Sequence, residues 1–232
     1  MGQVSWSEYT EQGYAGVLGE NELLTVRVVP ARGGRIVSLV DKRLSKLITL
    51  AGEALRIEYR LNNPTSHVFS YLWAAHPLLR ISPGMKLLTE PEQGRIQIAH
   101  SHHGRLGKQL DYARFPIASS SDGGDVNLSV VESAAGDAAE KYYFADPLRE
   151  GCAGLADPAT GERIVFRFVP EETPYLAIWA HYGGFGDYTF AIEPASGYMD
   201  SVHTAHRLGK VKQVQANSTN RWTLSVALER ES

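Results

Sequence analysis

In the stretch Ala54-Leu-Arg-Ile-Glu-Tyr-Arg-Leu61, apolar and charged side chains alternate from Leu55 onward. Its apolar members are Leu55, Ile57, Tyr59 and Leu61, and the residues between them are all charged. Successive side chains of a β-strand point to opposite faces. The alternation therefore predicts an antiparallel strand with one face buried and the other face in water.

Seven further stretches have the β-branched and aromatic composition that is typical of strands. They are Leu23–Val29, Arg35–Val40, Val126–Val131, Arg163–Val169, Tyr175–Ala180, Tyr188–Ile192 and Arg221–Leu228. Turn-forming sequences such as Asn62-Asn-Pro64 and Ser82-Pro-Gly84 separate them. No window has the length, periodicity and caps of a three-turn helix, and Ser133–Glu140 is interpreted as a loop or a single turn. Many short strands predict an all-β, sandwich-like or barrel-like fold.

The composition is that of an ordinary globular protein, with 232 residues of which 43% are hydrophobic. Single β-rich domains commonly reach about 200–250 residues. No linker or repeat divides the chain, so we expect one domain over residues 1–232. The net charge of −3 argues against nucleic acid and anionic membranes as partners, because both select a basic surface. No long apolar segment or basic leader is present, so we expect a cytoplasmic protein without a membrane span.

Cys152 is the only cysteine of the sequence. An intramolecular disulfide is therefore excluded, and no second cysteine is available for a redox pair or a thiolate metal cluster. The surrounding Gly151-Cys-Ala-Gly154 is interpreted as a turn, with Cys152 as a small buried residue.

Glu193 is the first candidate for chemistry. It lies at the end of a predicted apolar strand, directly before Pro194. A buried carboxylate is costly unless it is paired or used. Glu193 is therefore interpreted either as a general base or as a structural ion-pair partner of Arg167 or Arg207, and the residues alone leave both open.

His76 is the second candidate, in the segment Trp73-Ala-Ala-His76-Pro77. Pro77 is expected to end a strand and to leave His76 at the rim of the sheet. An imidazole there can act as an acid or a base near neutral pH. A core histidine hydrogen-bonded to the backbone explains the same pattern, and in isolation it is the preferred interpretation.

A third group of candidates is His100, His102 and His103. Alternating histidines on one face of a strand can bind a metal ion, so a metal-dependent β-barrel enzyme is an alternative function. No later glutamate and histidine have a fitting spacing, however, and Arg105 and Lys108 favour a solvated basic loop. We therefore expect no metal site. The sequence also lacks a phosphate-binding loop and a nucleophile elbow, which argues against a nucleotide-binding enzyme and a serine hydrolase.

Aromatic side chains could form a sugar-binding surface, because sugar rings present C–H faces that pack on aromatic rings. Ordinary core packing explains most of these residues equally well. The residues concerned are Trp73, Tyr142, Tyr143, Trp179, Tyr182 and Tyr188.

Four segments taken together, in their order along the chain, resemble the galactose mutarotase-like (aldose 1-epimerase) family. The first leads through Asn21–Pro30 into Gly33-Gly-Arg-Ile-Val-Ser-Leu39, and the second is Trp73–Gly84 with its histidine. The third is Tyr175–Gly197 with its glutamate, and the fourth is Leu208–Val226. The resemblance spans nearly the whole chain. It implies an antiparallel β-supersandwich.

The resemblance also implies the activity of that family, which interconverts the α and β anomers of an aldose without a cofactor. Glu193 would take the proton of the anomeric hydroxyl, and His76 would protonate the ring oxygen. The ring would then open, turn about the C1–C2 bond and close from the other face. The residues expected to contact the sugar are Trp73, Lys141, Tyr143 and Trp179.

The sequence departs from the family pattern between residues 41 and 54. Family members commonly carry additional strands there, with an earlier histidine and an arginine, and the chain is short for the family. Glu140–Tyr143 occupies roughly the place of an expected sugar-contacting acid. We therefore expect a pocket that is open on one side or closed by a second subunit in a homodimer. A non-catalytic carbohydrate-binding protein on the same scaffold is the alternative.

Overall fold

The fold is built almost entirely from β-strands. The computed structural model describes residues 4–11, 13–21, 24–30, 35–41, 44–90 and 94–230. Every strand pair in these ranges is antiparallel. The strands are β1 (Ser5–Glu11), β2 (Tyr14–Glu20), β3 (Leu24–Val29), β4 (Arg35–Asp41), β5 (Leu44–Ala51), β6 (Ala54–Asn63), β7 (Phe69–Tyr71), β8 (Leu78–Leu79), β9 (Lys86–Thr89), β10 (Gly94–Ser101), β11 (Tyr112–Phe115), β12 (Ile117–Ser119), β13 (Asp125–Asn127), β14 (Ala138–Phe144), β15 (Cys152–Asp157), β16 (Glu162–Phe168), β17 (Tyr175–Tyr182), β18 (Tyr188–Ala195), β19 (Lys212–Val214) and β20 (Ser218–Arg230).

Two six-stranded sheets make up the sandwich. The first, called the site sheet here, has the strand order β11-β10-β14-β17-β18-β8, and the second, the back sheet, has the order β5-β6-β20-β16-β15-β9. A separate four-stranded sheet contains β1 to β4, and β12–β13 and β7–β19 form two small ribbons. The architecture confirms the predicted all-β, antiparallel sandwich.

One short α-helix, α1 (Val202–Arg207), follows the site sheet, and the Ser201 hydroxyl caps it by accepting from the backbone N–H of Thr204. Within the described residues, no helix has the length and apolar character needed to cross a membrane.

The core lies between the two sheets. One face of the site sheet and one face of the back sheet bring their apolar side chains together, and each fully buried large side chain contributes roughly 1.5–3 kcal/mol. Central members of this core are Ile96, Ile98, Tyr142, Phe144, Phe166, Leu176, Ile178, Ile192 and Leu224. Because side chains alternate along a strand, the intervening residues of β14, β17 and β18 point to the opposite face of the site sheet. That opposite face carries the candidate site.

The strand predictions are confirmed at most positions. β3, β4, β6, β16, β17, β18 and β20 overlap the predicted stretches, although Leu23 and the Gly33-Gly34 turn lie outside the described residues. The predicted burial of alternate side chains in β6 is confirmed from Ile57 to Leu61, since Ile57 and Tyr59 are half-buried and Leu61 is buried. Leu55 is an exception. It is 42% exposed, because it lies near the end of the β5–β6 hairpin.

Three local predictions are wrong in whole or in part. Ser133–Glu140 contains a short 3-10 turn at Ala134–Gly136, but β14 already begins at Ala138. Gly151–Gly154 is not a turn, since β15 begins at Cys152, which is half-buried. Val126–Val131 leaves the strand conformation after Asn127. In the first two cases small residues mislead propensity, because a strand buried on both faces accepts alanine and glycine where neighbours pack closely.

Glu140 is a buried carboxyl group on the core side of β14, with 1% of its surface exposed. Burial raises the pKa of Glu140 from 4.5 to about 7, although the nearby Ser101 and Arg105 oppose the shift. The unfolded carboxyl group therefore ionises first, and between these two pH values the folded state binds more protons. Stability is highest below pH 4.5, falls as the pH rises through this window and then levels off.

We expect the free energy of unfolding to fall by about 3 kcal/mol between pH 4.5 and pH 7 because of the titration of Glu140. Glu140→Gln abolishes this titration and should be more stable than wild type at about pH 8 but not at about pH 5. Urea denaturation at both pH values measures the difference. The exposed Glu171→Gln serves as the control, and a Glu140→Gln protein with the wild-type pH dependence would contradict the prediction.

Candidate active site

Backbone pairing brings His76 to Glu193. β7 ends at Tyr71, and the irregular segment that follows runs antiparallel beside β18. The backbone N–H of Ala75 donates to the carbonyl oxygen of Pro194 at 3.0 Å. Because the two segments are antiparallel, His76, the residue after Ala75, lies beside Glu193, the residue before Pro194. The prediction that Pro77 ends a strand at His76 is wrong, because the strand ends five residues earlier.

The register of the site sheet adds two more side chains to this place. Glu193 pairs with Ala177 of β17, and Ala177 pairs with Tyr143 of β14. Lys141 lies two residues from Tyr143 and therefore shares its face. Glu193 is inside β18, which continues to Ala195, so the predicted strand end at Ile192 is three residues too early.

The polar side chains form a continuous chain of contacts, called the acid–base chain here. His76 Nε2 lies 3.3 Å from Glu193 Oε1, and Lys141 Nζ lies 3.0 Å from Glu193 Oε2. Lys141 Nζ also lies 2.8 Å from Asp200 Oδ1, to which the Tyr143 hydroxyl donates a hydrogen bond of 2.9 Å. Two carboxylates, an imidazole and an ammonium group thus share one small site.

Exposure differs sharply along the acid–base chain. The side chain of Glu193 is 0% exposed and that of Lys141 is 12% exposed, whereas those of His76 and Asp200 are 49% and 52% exposed. A solute therefore meets His76 and Asp200 first. Both carboxylate oxygens of Glu193 are covered, and among the described residues neither has a hydrogen-bond partner of good geometry.

Burial dominates the electrostatics of the site. It raises the pKa of Glu193 above its usual value, although the positive charge of Lys141 and then His76 oppose the shift. Burial alone lowers the pKa of Lys141, but the charges and hydrogen bonds of Glu193 and Asp200 outweigh it and raise the pKa overall. The pKa of Tyr143 is raised first by burial and then by the negative charge of Asp200. Tyr143 is therefore a hydroxyl donor throughout the physiological range.

The alternative ion-pair partners predicted for Glu193 are wrong. Arg167 belongs to the back sheet, where its Nη2 lies 2.6 Å from Glu229 Oε1. Arg207 lies in the last turn of α1. The cation beside Glu193 is Lys141 instead.

The two tryptophans predicted to contact a sugar lie in different surroundings. Trp179 is paired with Lys141 in the sheet, and its ring centroid lies 6.0 Å from that of His100. It therefore extends the face that carries Glu193. The ring of Trp73 packs at 4.7 Å from Tyr59 and 5.3 Å from Trp222, in an aromatic cluster between the sheets. The backbone of Trp73 is fixed next to the end of β18, because its N–H donates to Ser196 Oγ at 2.9 Å and its carbonyl oxygen accepts from the Ser196 N–H at 2.8 Å.

Asp200 is the site residue that sequence reasoning missed. It follows β18 after a short turn that folds back over Lys141. In that turn Met199 has a φ of 61°, a left-handed conformation that is uncommon for a residue with a side chain. The only signal in the sequence is its place, seven residues after Glu193 and beyond a Ser-Gly turn.

The three candidate histidines do not alternate along one strand. His100 lies on β10, against the expectation of a loop, whereas His102 and His103 lie in a 3-10 turn after the strand ends at Ser101. The pKa of His100 is lowered by burial and then by the charge of His102. The predicted basic loop is therefore wrong for His100.

Comparison with known proteins gives a structural likeness without a sequence relative. No protein-family model matches the chain, and no curated protein matches it by sequence. Among solved structures, a candidate aldose 1-epimerase from Klebsiella pneumoniae superposes with a TM-score of 0.59 at 13% identity, over 99% of this chain and 50% of that one. A galactose mutarotase-like protein from Lactobacillus casei superposes with a TM-score of 0.56 at 16% identity, over 97% of this chain and 69% of that one.

The chain has the galactose mutarotase-like fold. The Slr1438 protein from Synechocystis sp. PCC 6803 has the same architecture, with a TM-score of 0.55 at 16% identity over 98% of this chain. The chain spans 61% of the Synechocystis protein and half of the Klebsiella protein. At these identities the likeness establishes the fold, and the chemistry must be argued from the residues of the site.

Proposed function

We propose that the protein is a mutarotase that interconverts the α and β anomers of a sugar. The observation that carries the proposal is the contact of 3.3 Å between His76 Nε2 and Glu193 Oε1. The anomeric hydroxyl oxygen and the ring oxygen of an aldose are bonded to the same carbon. An acid and a base that serve these two oxygens must therefore lie side by side, as His76 and Glu193 do.

The proposed reaction uses only side chains of the acid–base chain. Glu193 takes the proton of the anomeric hydroxyl while His76 donates a proton to the ring oxygen, so that the C1–O5 bond breaks and an aldehyde forms. Rotation about C1–C2 and the reverse proton transfers close the ring with the other configuration. Lys141 holds Glu193 ionised and oriented, and Asp200 offers a half-exposed acceptor for a sugar hydroxyl.

A second candidate function is carbohydrate binding without catalysis. It is favoured by the burial of Glu193, whose oxygens are covered by His76 and Lys141 in this conformation. A binding protein needs only the accessible groups, which are His76, Asp200 and the ring of Trp179.

Anomer exchange followed by NMR tests the two functions against each other. Fresh α-glucose, α-galactose and a panel of other aldoses are followed with and without wild-type protein. Acceleration above the buffer rate with any sugar supports the mutarotase. Sugar binding in a calorimetric titration without acceleration supports the binding protein. If the protein neither accelerates exchange nor binds any sugar of the panel, both proposals are excluded. Closure of the site by a second subunit remains a prediction, which the protein concentration dependence of the rate would test.

A further inference from the structure

We infer a second site on the same face, a binding site for a divalent transition-metal ion formed by His102, His103 and Asp137. One possible ligand atom from each of the three residues lies within 4.8 Å of the other two. Ligands around a four-coordinate Zn²⁺ ion at about 2.0–2.1 Å lie roughly 3.4 Å apart. Small rotations of the exposed side chains of His103 and Asp137 are therefore enough to close the set around an ion.

The donor set selects the class of ion. Two imidazoles and one carboxylate suit Zn²⁺ and related first-row ions, whereas Mg²⁺ and Ca²⁺ prefer oxygen ligands throughout. Three protein ligands leave at least one position for water or a solute. The positive charge nearest in sequence, that of Arg105, is neutralised by Glu132, whose Oε1 lies 2.7 Å from Arg105 Nη2.

The backbone holds two of the ligands in conformations that side-chain-bearing residues rarely adopt. His103 has a φ of 53° and Asp137 has a φ of 45°. Such left-handed conformations persist where the surrounding structure determines them. Here the two residues lie just after the end of β10 and just before the start of β14, and their ligand atoms converge there.

The third ligand is fixed by the loop between β17 and β18. A Cβ atom on Gly184 would lie 2.9 Å from His102 Cδ2, so the imidazole ring lies directly on the backbone of this glycine. The N–H of Gly184 also donates to the carbonyl oxygen of Ala138, the residue after Asp137, at 3.3 Å. One loop therefore positions both His102 and the strand end that carries Asp137.

The site is separate from the acid–base chain. Asp137 lies directly before β14 and precedes Lys141, the nearest β14 member of the acid–base chain, by four residues, which corresponds to about 13 Å at ~3.3 Å per residue. The rings of His100, Trp179 and Phe185 lie between the two places. The inference is therefore independent of whether Glu193 catalyses a reaction.

Zn²⁺ titration of chelator-treated, tag-free protein tests the site, with Co²⁺ as a spectroscopic probe. We expect one ion per chain, visible absorption from low-coordinate Co²⁺, and a melting temperature that rises by about 5 °C or more at an ion concentration one hundred times the Kd. Asp137→Asn and His103→Asn should each weaken binding at least tenfold. Asparagine tolerates the left-handed conformation, so both variants should fold.

His203 and His206 provide the matched control, because they are two exposed histidines on α1 without a nearby third ligand in the described part of the chain. A His203→Ala, His206→Ala protein should bind Zn²⁺ as wild type does. The inference is overturned if wild-type protein takes up no stoichiometric ion, if Asp137→Asn and His103→Asn leave the Kd unchanged, or if the α1 variant loses the ion.

Discussion

Glu193→Gln is expected to lower the rate of anomer exchange by about 10²–10⁴-fold, the usual contribution of a positioned acid or base. Glutamine has nearly the same shape as glutamate but cannot take the anomeric proton. The buried position should remain filled, and the contact with His76 should persist as a neutral one. Sugar binding should therefore survive the substitution, so the loss appears in kcat and not in KM. NMR anomer exchange over a range of sugar concentrations measures both quantities.

The matched control for this substitution is Glu140→Gln. Glu140 is also a buried carboxyl group of the site sheet, but it points into the core, away from the acid–base chain. It should keep the wild-type rate. A folded Glu193→Gln protein that exchanges anomers as fast as wild type would exclude Glu193 as the base.

Lys141→Met is expected to have the largest effect on stability. It removes the cation 3.0 Å from Glu193 while keeping a long apolar stem. Within the described ranges, His76 is then the one ion-pair partner left to the buried Glu193. Breaking a buried pair from one side typically costs about 3–5 kcal/mol. Without the ammonium group the pKa of Glu193 must rise further, since Lys141 is the main influence that lowers it.

The sign of the pH dependence follows from that pKa. At low pH Glu193 is protonated in both proteins, no buried charge is left unpaired, and Lys141→Met should cost little. At high pH the variant must either bury a bare carboxylate or hold a proton that the unfolded chain has released, so the difference from wild type should grow as the pH rises. Urea denaturation at about pH 4, below the ordinary pKa of a glutamate, and at about pH 8 measures both values.

Lys212→Met is the comparison for this experiment. Lys212 lies 3.5 Å from Glu172, and both side chains are partly exposed, so the pair should contribute at most about 1 kcal/mol. An equal loss of stability for Lys141→Met at both pH values would show that packing, and not charge, is what Lys141 supplies.

The alternation of apolar and polar residues made much of the fold predictable. It was sufficient for strands with one wet face, such as β6, whose Ile57, Tyr59 and Leu61 turn inward. It failed for β14 and β15, because these strands are buried on both faces and use Ala138, Ala139 and Ala153 where neighbouring strands pack closely. A strand of that kind carries no period in its sequence.

The site was predictable in part. Glu193 and His76 could be named because a carboxylate and a histidine next to prolines in apolar surroundings are unusual. Their contact could not be predicted, because it depends on the hydrogen bond between Ala75 and Pro194 and on the chain path between them. Asp200 was missed for a related reason. Its role depends on the fold of a turn, and Lys141 could not be identified as the cation until β14 had been placed next to β17.

The position of β20 in the back sheet has a consequence for how the protein is made. This strand lies in the interior of the sheet, paired with β6 on one side and with β16 on the other. The side chains of Asn62 and Thr219, which bond to each other across β6 and β20, are 157 positions apart. During synthesis the edges of β6 and β16 that pair with β20 therefore stay unpaired until residues 218–230 leave the ribosome. Such long-range pairing is slow, and the open edges are where a nascent chain is most in need of a chaperone.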